Sequence, residues 1–292
     1  MRLLLDSKDL IDLLEHGKPL SLEEFAAYLE QNTSKIVLAS TNVMELAGPL
    51  GKGCDSLRVL SLIRRLETLP RCFLRESTIP RVEVSDALQL FRTGKEFELP
   101  EVYVSRWIDT LLNRSPLVEM LVNFSETDAV NMLRRDSTLF SHHKTFLDPI
   151  RLQFAQDRSL PQAQRSLRKN FVRTVRRFLA ELHTKLPENE LAEFAAWIYA
   201  RPTRCPGLRF SYVVRDQLLK DTTTPIQDGD MVDLVHISMT PYVDAITLDR
   251  RMSNYCRQAC RSLRRIDPSI DHDRRIFRNL SELIGATRTV PQ

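Results

Sequence analysis

Two short apolar runs in this chain each end on an aspartate and lead straight into a helical pattern: LLLD at 3–6 and YVDAITLD at 242–249. A strand that short, apolar on both faces, must be covered on both sides and hydrogen-bonded by neighbours. A helix directly behind it makes a βα unit, and such units in series build a parallel sheet. Residues 35–39 (KIVLA) read as a further buried strand, rich in β-branched residues. Between the first two strands, Leu10, Leu13 and Leu14 fall on one face of a helix that Asp6 or Ser7 can cap. Gly17 and Pro19 end it, and residues 22–31 form the next helix. A third helix starts near Ser40 or Thr41 and carries Glu45.

The α/β character returns late in the chain. Asp228-Gly229-Asp230 turns into a helix across 231–238, which Pro241 ends. The strand 242–248 follows, then a helix from Asp249 to about Leu263, a short strand at 275–277 and a short helix at 280–284. The middle differs. Apolar residues recur there at helical spacing: Leu57, Leu60, Ile63 and Leu66, then Phe171, Val175, Phe178 and Leu182. Residues 82–84 are ambiguous between strand and helix. The expected fold is therefore α/β: a small parallel sheet flanked by helices, formed by residues 1–53 and 225–292. A mainly helical insertion spans 54–224.

Composition excludes several classes. An apolar content of 42% with 27% charged residues suits a globular protein, and no run is long enough to span a bilayer. The N-terminal apolar stretch is too short for a signal peptide, so a cytoplasmic location is expected. The five cysteines have no zinc-ligand spacing and read as reduced thiols. Basic residues exceed acidic ones by only 42 to 38, so an anionic partner must be argued from distribution.

Acids gather where a parallel sheet binds ligands, at the carboxyl ends of its strands. Asp6 follows the first strand, Glu45 lies a turn or two past the second, and Asp249 follows the third. Asp230 and Asp233, three apart, share a helix face. Asp244 lies within the 242–248 strand, where a buried carboxylate requires a partner. Carboxylates brought together raise one another's pKa, and a hard divalent cation with oxygen ligands relieves the repulsion. Taken singly, each acid reads as a helix cap, a turn residue or a solvated side chain.

The strings LLLDSKDLIDLL, KIVLASTNVMELAG and GDMVDLVHISMTPYVDAITLDRRM resemble the PIN-like nuclease domain. That family opens with a strand-ending Asp and places a Glu on the helix after the second strand. It carries another Asp at the start of a late helix and closes a strand in a Thr-x-Asp motif. The resemblance assigns Asp6, Glu45, Asp230 and Asp249 to the catalytic and metal-binding positions and Thr247 to the Thr of the last motif. Asp233 and Asp244 correspond to extra acids of some divergent members. The likeness covers roughly 1–50 and 225–285, and the helical middle interrupts it. It implies a nuclease using Mg²⁺ or Mn²⁺ on phosphodiester bonds, RNA in preference to DNA, in settings that include toxins and defence. A homo-oligomer or an inhibitor protein is an implied partner.

Basic residues supply two candidate phosphate-contacting faces. One is the helix at 165–177, with Arg168, Lys169, Arg173 and Arg176; the other starts at Arg250 and Arg251, directly after Asp249. Both also read as solvated, ion-paired helix faces. His236, three residues after Asp233, is either a site residue or a satisfied core histidine. His142 and His143 point to different sides and make a poor metal pair. Trp107 and Tyr242 could stack on bases or simply pack. The run at 48–53 (GPLGKG) lacks phosphate-loop spacing. Glu83 is a candidate fifth ligand or a helix-start residue. Three other functions remain open. A catalytically inactive PIN-like scaffold could bind nucleic acid or protein. An aspartyl phosphatase lacks its second Asp, since Lys8 stands there. A helical interaction protein would scatter the acids.

Overall fold

The N-terminal run forms a central strand. The computed structural model describes residues 1–39, 42, 45–46, 56–74, 79–95, 102–104, 152, 156, 158–159, 167–221, 223–224 and 228–288. In it β1 (Arg2–Leu4) lies between β2 (Lys35–Leu38) and β5 (Ala245–Thr247), parallel to both. β3 (Arg71–Leu74) runs parallel beyond β2, β4 (Tyr103–Val104) closes that edge antiparallel, and β6 (Ile276–Phe277) runs parallel beyond β5. The order of the six strands is β4-β3-β2-β1-β5-β6. The chain thus builds outward from β1 to β3 and returns to the far side of β1 at β5. This reversal puts a topological switch point between β1 and β5, where open α/β sheets form their ligand crevice.

Alternation along the strands explains the two covering layers. Leu3, Ile36, Leu38, Phe73 and Ala245 face α1 (Ser7–His16), α2 (Leu22–Gln31), α3 (Ser56–Glu67) and α10 (Leu280–Arg288). Leu4, Val37, Leu74 and Ile246 face α7 (Pro206–Lys220), α8 (Asp228–Ser238) and α9 (Arg250–Arg264). Leu3 and Leu4 are 0% and 1% exposed, so each contributes about 1.5–3 kcal/mol through burial. A third cluster joins α4 (Ile79–Thr93), α5 (Leu167–Glu181) and α6 (Glu188–Ala200) to the outer face of α7. The helical layer is therefore continuous with the sheet through α7.

The middle of the chain is not purely helical. It supplies β3 and β4 to the same sheet, two strands that the helical periodicity of the segment conceals. Residues 82–84 belong to α4. The strand read at 242–248 is shorter, Ala245–Thr247, because Pro241 opens a 3-10 turn at Thr240–Tyr242. Among the described residues no helix is long and apolar enough to cross a membrane. Cys72, Cys205, Cys256 and Cys260 are free thiols. His142, His143, Trp107, Cys54 and the run at 48–53 lie outside the described residues.

One close approach fixes how α7 meets α8. A Cβ added at Gly207 would stand 2.3 Å from the Ser238 carbonyl oxygen and 3.0 Å from Glu83 Oε1. Backbone cannot yield as a flexible side chain does, so Gly207→Ala should destabilise by about 1–3 kcal/mol. Denaturant unfolding measures this, and an unchanged midpoint would contradict the packing described.

Candidate functional site

The site is built from the caps of two helices. Asp6 follows β1 and caps α1, its side chain accepting from the Lys8 N–H at 3.4 Å. Asp249 follows β5 by two residues and caps α9, accepting from the Met252 N–H at 2.6 Å. Because β1 and β5 are neighbours, both caps stand at the same end of the sheet. Thr247, 1% exposed, ties β5 to the first of them: its hydroxyl oxygen accepts from the Asp6 N–H at 2.8 Å.

Glu45, seven residues after β2, reaches the same end of the sheet. The Ser7 hydroxyl donates to its carboxylate in a short hydrogen bond. Asn42, 0% exposed, orders the whole corner. Its Oδ1 accepts from the Ala39 N–H at 2.9 Å, while its Nδ2 donates to the Leu5 carbonyl and to Ser7 Oγ, both at 3.3 Å. One carboxamide thus ties the ends of β1 and β2 to the serine that holds Glu45.

Asp233 completes the group. Burial pushes its carboxyl up to about 8, and the negative charges of Asp6, Asp249 and Glu45 push in the same direction. Glu45 rises to about 7, mainly by burial, with Asp6 adding to the rise and the Ser7 bond opposing it. Asp6 rises to about 6, again by burial first, with Asp9 and Asp249 contributing. Asp9 is also raised, chiefly by burial. Four acids from four separate stretches of chain therefore share one electrostatic neighbourhood. Among the described residues, no three or more His, Cys, Asp or Glu side chains are arranged, as they stand, to hold a metal ion.

The other sequence candidates distribute differently. Asp230, 3% exposed, forms a salt bridge with Arg251. Asp244 is exposed at the opposite, amino end of the sheet, where its carboxylate accepts from the Arg2 N–H at 2.7 Å. It is therefore not the buried strand carboxylate that the sequence pattern suggested. His236 is 2% exposed and burial lowers it to about 4, so it is neutral at ordinary pH. Glu83 is buried and both its oxygens are engaged by α7 and Tyr242.

The basic faces also resolve in part. Arg250 is exposed beside Asp249, whereas Arg251, Arg257 and Arg264 bond to Asp230, the Ile276 carbonyl and Asp273 within the fold. Arg173 and Arg176 are exposed on α5, and Arg176 pairs with Glu188 at 2.5 Å. The side chains of Arg168 and Lys169 lie outside the described residues. Asn42 and Asp9 were missed in the sequence. Asn42 carried a usable signal, its position three residues before Glu45.

Compared with known proteins, the chain matches no protein-family model, no curated protein and no solved structure at a significant level.

The raised carboxyls make stability depend on pH. Asp6, Glu45 and Asp233 keep protons in the folded chain at pH values where the unfolded chain, with ordinary carboxyls, has released them. Folding therefore takes up protons between roughly pH 4 and pH 8, and stability falls as pH rises through that window. In EDTA the melting temperature should be higher at about pH 5 than at about pH 8, and Asp233→Asn should flatten the difference. A melting temperature that climbs toward pH 8, equally in both proteins, would contradict this arrangement.

Proposed function

We propose that the carboxylates beside the β1–β5 switch point bind Mg²⁺ or Mn²⁺ and that the chain hydrolyses phosphodiester bonds, RNA in preference to DNA. The observation that carries this reading is the field at Asp233. It lies under the negative charge of Asp6, Glu45 and Asp249 at once, and together the four offer only hard oxygen donors. Protons occupy the raised carboxyls at low pH; a divalent cation is the other way to offset the repulsion. The ligands would be Asp6, Glu45, Asp233 and Asp249. Asp233 thus takes the part that the PIN-like resemblance gave to Asp230, which is neutralised by Arg251. When bound, the ion supplies Lewis-acid polarisation of a phosphoryl oxygen and activation of a water.

The chain's own residues do the rest. Ser7 and Asn42 orient Glu45, and Thr247 fixes the main chain at Asp6. The exposed Arg250, at the first turn of α9 beside Asp249, would meet a backbone phosphate. The preference for RNA rests on the resemblance alone. A non-catalytic nucleic-acid-binding scaffold is the second reading. The absence, among the described residues, of three acids already arranged around one point favours it.

Incubation with labelled single-stranded RNA and DNA in Mg²⁺, Mn²⁺ or EDTA separates the two. Turnover should appear only with a divalent cation. Asp233→Asn should lower it by about a hundredfold or more, and Asp230→Asn by only about tenfold, as expected of a residue acting through its neighbour. Binding without cleavage under every condition would leave the scaffold. Equal losses at the two positions would remove the distinction drawn between them.

A further inference from the structure

A carboxylate outside the acidic group spans three elements of the fold. Glu83 lies in the second turn of α4 and is 2% exposed. Its Oε1 accepts from the Gly207 N–H at 2.6 Å and from the Tyr242 hydroxyl at 2.5 Å, and its Oε2 accepts from the Leu208 N–H at 2.8 Å. Gly207 and Leu208 open α7, where N–H groups have no partner within the helix, so the carboxylate supplies what the N-terminus lacks. No side chain of α7's own N-cap, Cys205, does so. Tyr242 ends the 3-10 turn that joins α8 to β5.

The geometry points to Glu83 as a positioning residue for the acidic site. It ties α4 and the start of α7 to the connection that bears Asp233 on one side and Thr247 on the other. The link is stiff in two places. The Ser238 carbonyl, at the end of α8, presses against Gly207 so closely that no side chain fits there. On the other flank of Tyr242, Arg275 Nη1 donates to the Pro241 and Val243 carbonyls at 3.2 and 3.1 Å. With the C-terminal end of α8 pinned, Asp233, one to two turns earlier in the same helix, has its height above the sheet set. The helical layer thereby acts on the site from a distance. A buried carboxylate with no hydrogen-bond donors is costly; three donors explain how Glu83 is tolerated here, while burial still pushes it up to about 7.

This role rests on the site proposed above, so its test needs a readout that does not depend on catalysis. Tyr242→Phe removes one donor and leaves the shape; Glu83→Gln leaves one N–H facing an amide donor. Phe194→Leu, in the same helical cluster on α6, is the control for a general loss of packing. Hydrogen exchange should quicken across residues 228–247 in Tyr242→Phe and Glu83→Gln but not in Phe194→Leu. Turnover should fall about tenfold in the first two with KM little changed, since a misplacement near 1 Å costs up to about a hundredfold. Exchange that is unchanged, or raised evenly along the chain in all three variants, overturns the assignment. If the wild-type protein cleaves nothing, the nuclease reading fails, while the exchange pattern still decides whether Glu83 holds α8.

Discussion

Everything at the candidate site depends on the parallel pairing of β1 with β5, two strands about 240 residues apart in the chain. That pairing is driven by apolar burial, not by the acids. Leu3 and Leu4 are apolar toward both layers, so β1 can only be a central strand, and Ala245 and Ile246 cover the side that β2 leaves open. Once the strands align, the residues that follow them have no freedom to be far apart. Asp6 and Asp249 are delivered to the same end of the sheet as a by-product of core formation.

The gathered acids then carry an electrostatic cost that the core must bear. Capping two helices offsets part of it, since Asp6 and Asp249 each meet a helix N-terminus. The hydroxyls of Ser7 and Thr247 and the carboxamide of Asn42 hold the group together without adding charge. Asp233 has no such cap and shows the largest upward shift of the group. The repulsion among these acids is what the proposed divalent cation would offset. The guanidinium of Arg251 goes instead to Asp230, on the neighbouring line of the same helix. One face of α8 is thus divided between an ion pair and the acidic group.

Much of this was legible in the sequence because burial imposes a period on it. The strands at β1, β2 and β5 announced themselves through unbroken apolar runs, and the acids at their ends followed from the rule for parallel sheets. β3 and β4 were hidden. RCFL has only two fully buried residues and YV none, so neither stands out from the helical pattern around it. The different surroundings of Asp230 and Asp233 were also out of reach. Residues three apart share a face, and the ion pair of Asp230 with Arg251 depends on a different helix. Asp244 misled because the strand was read from Tyr242 onward, whereas the chain is still in a 3-10 turn at Thr240–Tyr242 and β5 begins only at Ala245. Glu83 could not be resolved either, since its donors lie about 125 and 160 residues further along.

The central claim is that Asp6, Glu45, Asp233 and Asp249 act as one divalent-cation site. Electron paramagnetic resonance of Mn²⁺ titrated with the protein near neutral pH addresses it without reference to any substrate. Free Mn²⁺ gives a sharp hyperfine signal that is lost on binding. The wild-type protein should quench it stoichiometrically, Asp233→Asn and Asp6→Asn should restore it, and Asp244→Asn, at the other end of the sheet, should behave as wild type. A signal that persists with the wild-type protein in excess, or that is quenched equally by all four proteins, would contradict the account.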